Sequence, residues 1–196
     1  MSKQPAVFLD RDGVIIENRA RYVRAWADVA FLPGALAALA TLSRAPLAVV
    51  IVTNQSAVGQ GLLSESEAEA INAGLLAAIR AAGGRVDAVY LCPHTDADGC
   101  DCRKPAPGLL RRAAAELDLD LPRSVLIGDA LSDLAAGRAA GVGRVALVRT
   151  GRGAEQEHLA AGQPLDVFDN LADALAALLP PASASVYSNP QGEQAP

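Results

Sequence analysis

The chain has 196 residues, 51% of them hydrophobic, and a formal net charge of −5. That length suits one substantial core rather than two, and no apolar run nears the ~20 residues needed to span a bilayer. The acidic balance lacks long basic runs, which argues against nucleic acid as partner, because phosphate-neutralising surfaces need clustered Lys and Arg.

Met1 to Pro5 is not followed by an apolar signal-peptide stretch, since Asp10, Arg11 and Asp12 interrupt it at once. A soluble, cytoplasmic protein is expected. Ala6-Val7-Phe8-Leu9 reads as a buried strand ending at Asp10. Pro33-Gly34 opens an Ala- and Leu-rich helix to about Arg44, and Leu47 to Val52 is a β-branched strand. Ser64 and Glu67 form a capping-box pair, starting a helix that should reach Ala82 and stop at Gly83-Gly84.

Val86 to Leu91 is a third strand, and Pro107-Gly108 starts a helix to about Leu117. A fourth strand at Ser124 to Ile127 leads through Gly128-Asp129 into a helix over 132–140. Val145 to Val148 is a fifth strand, and a short strand near Val167-Phe168 with a helix over 171–179 closes the series. Strands buried on both faces and alternating with helices predict an α/β three-layer sandwich around a mostly parallel, Rossmann-like sheet. One domain over 1–180 is expected. After Pro180-Pro181 the composition turns to Ser, Pro, Gln and Gly, so 181–196 is read as a flexible tail.

The three cysteines, Cys92, Cys100 and Cys102, lie within eleven residues of one another, with His94 among them. Three thiolates and one imidazole make a tetrahedral Zn²⁺ set with no open position, which is the signature of a structural site. Asp96, Asp98 and Asp101 suit zinc less well than these softer donors. Arg103 and Lys104 directly follow the last ligand, so zinc would fix the two cations facing the phosphate. His158 has no partner nearby in sequence and reads as a surface residue.

Ligands in such sheets bind beyond the carboxyl ends of the strands. Four polar clusters fall there: Asp10 with Asp12, Thr53-Asn54-Gln55-Ser56, Arg103-Lys104, and Asp129 with Asp133. A lone Asp after a strand is ordinarily a turn or cap residue; four clusters in one place are a different matter. Asp10 and Asp129 offer hard oxygen ligands of the kind Mg²⁺ prefers. A carboxylate at Asp10 can attack phosphorus to give an aspartyl-phosphate. Lys104 and Mg²⁺ would neutralise the approaching anions, Thr53 would bind phosphoryl oxygens, and Asp12 would exchange protons with the leaving oxygen and water.

Asp-x-Asp-Gly-Val at 10–14, Thr53 after its strand, Lys104-Pro105 and Gly-Asp-x-x-x-Asp at 128–133 resemble, in order, the four motifs of the haloacid dehalogenase-like phosphatases. The resemblance spans about residues 6–150. It implies Asp10 as nucleophile, Asp12 as acid/base, Thr53 and Lys104 as phosphate stabilisers, and Mg²⁺ held by Asp10, the Asp12 carbonyl and Asp129. Asp133 would support the site from behind, or serve simply as a first-turn helix acid.

The Cys-Pro-His…Cys-x-Cys-Arg-Lys-Pro segment is similar to two capless branches, the D-glycero-D-manno-heptose 1,7-bisphosphate phosphatases and the histidinol-phosphate phosphatases. Asn54-Gln55-Ser56, Lys104-Pro105-x-Pro107-Gly108 and Val148-Arg149-Thr150-Gly151 look more like the heptose branch, whose members release the 7-phosphate. Ala57, Gln60 and Ala130 depart from it, standing where Gly, Arg and often Lys are usual, and two lost cations point to a less charged substrate. Only about twenty residues, Ile15 to Pro33, separate the first strand from its helix, too few for a cap domain. Arg19, Arg21, Tyr22 and Trp26 are then candidates for contact with the sugar. The chain is expected to act as a monomer on a small phosphorylated substrate, without nucleic acid or membrane. A zinc-stabilised interaction module is the non-enzymatic alternative, disfavoured because the acidic and basic site residues are all present.

Overall fold

The structure is a computed structural model that describes residues 3–160, 162 and 164–179. Its centre is a six-stranded sheet: β1 (Ala6–Leu9), β2 (Ala48–Asn54), β3 (Ala88–Cys92), β4 (Val125–Gly128), β5 (Arg144–Val148) and β6 (Asp166–Phe168). The spatial order is β3-β2-β1-β4-β5-β6, and every neighbouring pair is parallel. The expected mostly parallel sheet is thus wholly parallel among the described residues. The tail expected over 181–196 lies outside them.

Side chains alternate across β1, and so do the layers. Val7 and Leu9 pack with α1 (Ala35–Thr41), α3 (Glu65–Ala81) and α7 (Leu171–Leu178) on one face. Ala6 and Phe8 pack with α4 (Gly108–Glu116) and α5 (Leu131–Ala140) on the other. This period-2 partition makes two cores, one on each side of the sheet. Ser64 caps α3 as expected, with its hydroxyl accepting from the Glu67 N–H and Glu67 accepting from the Ser64 N–H.

Strand order reverses at β1, which lies between β2 and β4. Chain connections diverge there and open a crevice at the carboxyl edge. Nothing of domain size covers it. Between β1 and α1 the chain holds one 3₁₀ turn, Trp26–Asp28, and between β2 and α3 only α2 (Ser56–Gly59). No helix among the described residues is long and apolar enough to cross a membrane.

Two helices have no counterpart in the sequence reading. One is α2, and the other is α6 (Gly153–Leu159), a polar segment with no apolar stripe. Specific contacts hold α6 instead: Arg149 pairs with Glu157 at 2.7 Å, and Gln156 accepts the Leu131 N–H. His158, in its last turn, is exposed as expected. β3 begins two residues later than predicted, because Asp87 uses its side chain as well as its backbone to bond Val49.

Candidate active site

Asp10 follows β1 and is buried, as are Thr53 on β2, Lys104 and, beyond β4, Asp129 and Asp133. The Lys104 ammonium is the hub. Its Nζ donates to Asp10 Oδ1 at 2.6 Å and to the Val52 carbonyl at 2.8 Å, and it pairs with Asp133 Oδ1 at 2.7 Å. Asp133 also accepts the Ala130 N–H through its other oxygen. It is therefore both a helix-start acid and a partner of the site, so the two alternatives for it are one arrangement. Gly128 has to be glycine here, because a Cβ would run into the Asp133 side chain.

Asp129 is fixed from three sides. Its Oδ2 accepts from Asn18 Nδ2 at 2.6 Å and the Arg152 N–H at 2.9 Å, and the Arg152 guanidinium pairs with Oδ1 at 3.4 Å. Gly13 lies directly beneath with φ +90°, where a side chain would be strained and would meet the Asp129 carboxylate. Thr150 anchors this turn by donating to the Gly13 carbonyl at 2.6 Å.

Asp10, Asp129 and Asp133 bring carboxylate oxygens within 4.8 Å of one another. Burial is the main influence on Asp10; Lys104 opposes it, Asp133, Asp129 and Asp12 reinforce it, and the carboxyl is pushed up to about 7. Burial likewise pushes Asp129 up, opposed in part by Arg152. Lys104 is held well above its ordinary value because the two aspartates outweigh its own burial. Negative charge therefore exceeds positive in a dry site. A hard divalent cation with oxygen ligands fits that surplus.

Asp12 is held by Arg11, which the motif reading passed over, and by Gln55 of the strand-end cluster after β2. Arg11 donates from Nε to Asp12 Oδ2 at 2.9 Å and from Nη2 to Oδ1 at 3.2 Å, while its Nη1 donates to Asn72 Oδ1 on α3 at 2.9 Å. Gln55 Nε2 bridges Asp12 Oδ2 and Thr53 Oγ1, each at 2.8 Å. Asn54 sits beside the site without touching Asp10. Its amide donates to the Lys104 carbonyl at 3.0 Å and its oxygen accepts the Lys104 N–H at 3.1 Å. Arg103, expected with Lys104 to face the phosphate, pairs with Asp96 at 2.6 Å and donates to the His94 carbonyl.

Cys92, His94, Cys100 and Cys102 converge at the far end of the same loop. Sulfur–sulfur separations are 3.2, 3.4 and 3.7 Å, and His94 Nδ1 lies 3.2 Å from Cys102 Sγ and 3.5 Å from Cys92 Sγ. Zinc ligands about 2.3 Å from a tetrahedral centre are separated by roughly 3.5–3.8 Å, so this set fits the ion with small outward movements. Burial pushes the Cys92 thiol well up. At Cys100 burial also raises the pKa, but donation from the Arg103 N–H and neighbouring groups outweighs it and brings the thiol down to about 7.

The chain matches a family model described as HAD-hyrolase-like over residues 101–174. Fold and match define the class, a phosphoric monoester hydrolase of the haloacid dehalogenase-like kind. Among curated relatives, the D-glycero-β-D-manno-heptose-1,7-bisphosphate 7-phosphatase of Bordetella bronchiseptica is 42% identical over 147 residues, covering 75% of this chain and 82% of the relative. That of Pseudomonas aeruginosa is 38% identical and covers 88% and 97%. The crystal structure of the B. bronchiseptica enzyme complexed with magnesium and phosphate superposes with a TM-score of 0.84 at 38% identity, over 89% of this chain and 98% of that one. The chain belongs to the family of D-glycero-β-D-manno-heptose-1,7-bisphosphate 7-phosphatases.

Proposed function

We propose that this protein hydrolyses the 7-phosphate of D-glycero-β-D-manno-heptose 1,7-bisphosphate through an aspartyl-phosphate on Asp10. The observation that carries the chemistry is the convergence of Asp10, Lys104, Asp129 and Asp133 from separate strand ends into one buried, charge-rich crevice. The heptose substrate rests on the relatives, which carry that activity in their names at 35–42% identity.

Asp10 attacks phosphorus in line as the bond from phosphorus to the sugar oxygen breaks, and Asp12 delivers a proton to that oxygen. Water then attacks the aspartyl-phosphate, Asp12 takes its proton, and phosphate leaves with Asp10 restored. Lys104 neutralises charge on the phosphoryl oxygens, and Thr53 contributes donors from β2. Arg11 and Gln55 keep Asp12 in place through both steps. Asp10, the Asp12 carbonyl and Asp129 would hold Mg²⁺, which when bound supplies positive charge to the transferring phosphoryl group. The zinc loop, with Cys92, His94, Cys100 and Cys102 as ligands, is structural, and Asn54 transmits its rigidity to Lys104. The remaining parts of the reading are a single domain over 1–180 and a cytoplasmic monomer acting on a small sugar phosphate.

The test is turnover of heptose bisphosphate, histidinol phosphate and short phosphorylated oligonucleotides, with Mg²⁺ and with EDTA. Preferential, Mg²⁺-dependent release of phosphate from the heptose is expected, and equal turnover of the panel refutes the substrate. Asp10→Asn should lose at least about 10³-fold in kcat, and full activity in that variant refutes the mechanism.

A further inference from the structure

The core packed by α1, α3 and α7 is sealed at one end and open at the other. Leu9, Ile51, Ile127 and Val148, toward the carboxyl edge of the sheet, are completely buried. At the amino edge Leu42, Leu47, Val125, Leu175 and Leu178 each keep 3–8% of their surface exposed. These five line an apolar groove of about 740 Å³. Pro5 and Leu47, which also line it, directly precede β1 and β2, so the groove lies opposite the catalytic crevice. Ala38 of α1 with Ala172 and Ala176 of α7 form its walls, and their methyl groups are too short to fill it. That volume and apolar character are those of a binding pocket.

The chain passes out of the described residues at this groove. Helix α7 ends at Leu178, and Leu179, with extended backbone at φ −104° and ψ 133°, is part of the groove wall. Pro180 follows, which disfavours helical geometry at Leu179. Residues 180–196 are mostly Pro, Ala, Ser, Gln and Gly, and Val186 and Tyr187 are their only large apolar side chains. Val186 stands seven residues beyond Leu179, a span of at most about 25 Å. A tether that short holds its end at an effective concentration in the millimolar range. A second copy of the chain would have to reach that concentration in solution to compete. Charge points the same way. Arg123 is the only charged residue lining the groove among the described residues, and its one pairing, to Asp120, is long at 3.8 Å. Glu193 is the only charged residue in 180–196.

We propose that residues 180–196 dock in this groove of their own chain, with Val186 and Tyr187 covering the open end of the core and Glu193 facing Arg123. The composition that reads as a flexible tail therefore carries two apolar anchors and one charge, matched to a surface beside its own starting point. Occupancy of the groove adds stability without touching the reaction centre, so the inference is independent of the phosphatase reading.

The test uses the full chain and isotope-edited NMR. Nuclear Overhauser contacts are expected between the Tyr187 ring and the methyl groups of Leu175 and Leu178. Mixing labelled with unlabelled chains separates contacts within a chain from contacts between two, and only the first kind is expected. Ala176→Lys, at an exposed position on the groove wall, should abolish those contacts. Tyr187→Ser should lower the thermal midpoint by about 2–4 °C in the wild-type background and leave it unchanged in the Ala176→Lys background. Turnover of p-nitrophenyl phosphate should stay within about twofold of wild type in every variant, because the groove and the crevice are at opposite edges of the sheet. Absence of Tyr187 contacts in wild type, contacts only between chains, or a co-purified small molecule in the groove overturns the proposal. An equal midpoint drop from Tyr187→Ser in both backgrounds overturns it as well.

Discussion

Arg11 grips Asp12 through two hydrogen bonds, at 2.9 and 3.2 Å, from a side chain that is itself fully buried. Lysine preserves the charge but not the fork that reaches both carboxylate oxygens and Asn72 together. Arg11→Lys is expected to lower kcat about 10- to 100-fold with little change in KM. Added to Asp12→Asn it should cost little more, since both act through one proton carrier. Steady-state kinetics of the two single variants and the double variant check this, and additive losses would show that Arg11 acts elsewhere.

The Asn54 side-chain amide and the Lys104 main chain form a closed pair of hydrogen bonds between residues 50 apart in sequence. Asn54→Ala removes both bonds and frees the backbone that carries the site's central cation. We expect kcat/KM to fall about tenfold and the thermal midpoint by roughly 2–4 °C, as for about 1 kcal/mol in a chain of this size. Asn54→Asp keeps the acceptor for the Lys104 N–H and should retain more activity than alanine. Kinetics with circular-dichroism melting measure both.

Magnesium-free protein should be less stable at higher pH. Asp10 has a folded value of about 7 against 3.8 ordinarily, with burial as the first cause. A carboxyl raised in this way binds its proton more tightly when folded, so its favourable contribution is complete below about 4 and is lost as pH rises through 7. The thermal midpoint without Mg²⁺ is therefore expected to drop between pH 5.5 and 8. Mg²⁺ should restore it at pH 8, and Asp10→Asn should flatten the dependence. A flat wild-type profile would contradict the charge surplus described above.

Removing zinc should reach the reaction centre through the chain itself, because Lys104 stands two residues beyond Cys102. Protein purified without chelators is expected to hold about one zinc per chain by elemental analysis. Cys100→Ser should lower the thermal midpoint by at least about 5 °C, the shift that roughly 2 kcal/mol produces at this size. Phosphatase activity should fall with zinc content even when Mg²⁺ is saturating.

The strands were legible in the sequence because a sheet buried on both faces writes itself as apolar runs, as at Val49 to Val52. The site was legible where each residue follows a strand directly, as Asp10 and Asp129 do. Arg11 escaped notice because an arginine between two aspartates looks like solvated charge, although the apolar strand before it leaves little room for water. Asn72 carried a usable signal, being a polar residue on the stripe of α3 that also buries Ala68, Ile71, Leu75 and Ile79. Arg152 and α6 carried none, since short polar helices are fixed by tertiary contacts that local composition does not encode. The direction of Arg103 likewise depended on Asp96, a partner that spacing alone does not single out.

The central placement of β1 also bears on how the protein is made. Its first edge finds β2 early, but its second waits for β4, roughly 70 residues after β2 ends. At ribosomal speeds of about 5–20 residues per second, that interval is on the order of 4–14 s. Throughout it Ala6 to Leu9, wholly apolar, presents an open row of backbone donors and acceptors to any neighbouring nascent chain. The first strand to emerge is thus the one that waits longest for its second neighbour, and crowding on a polysome exposes it throughout that wait.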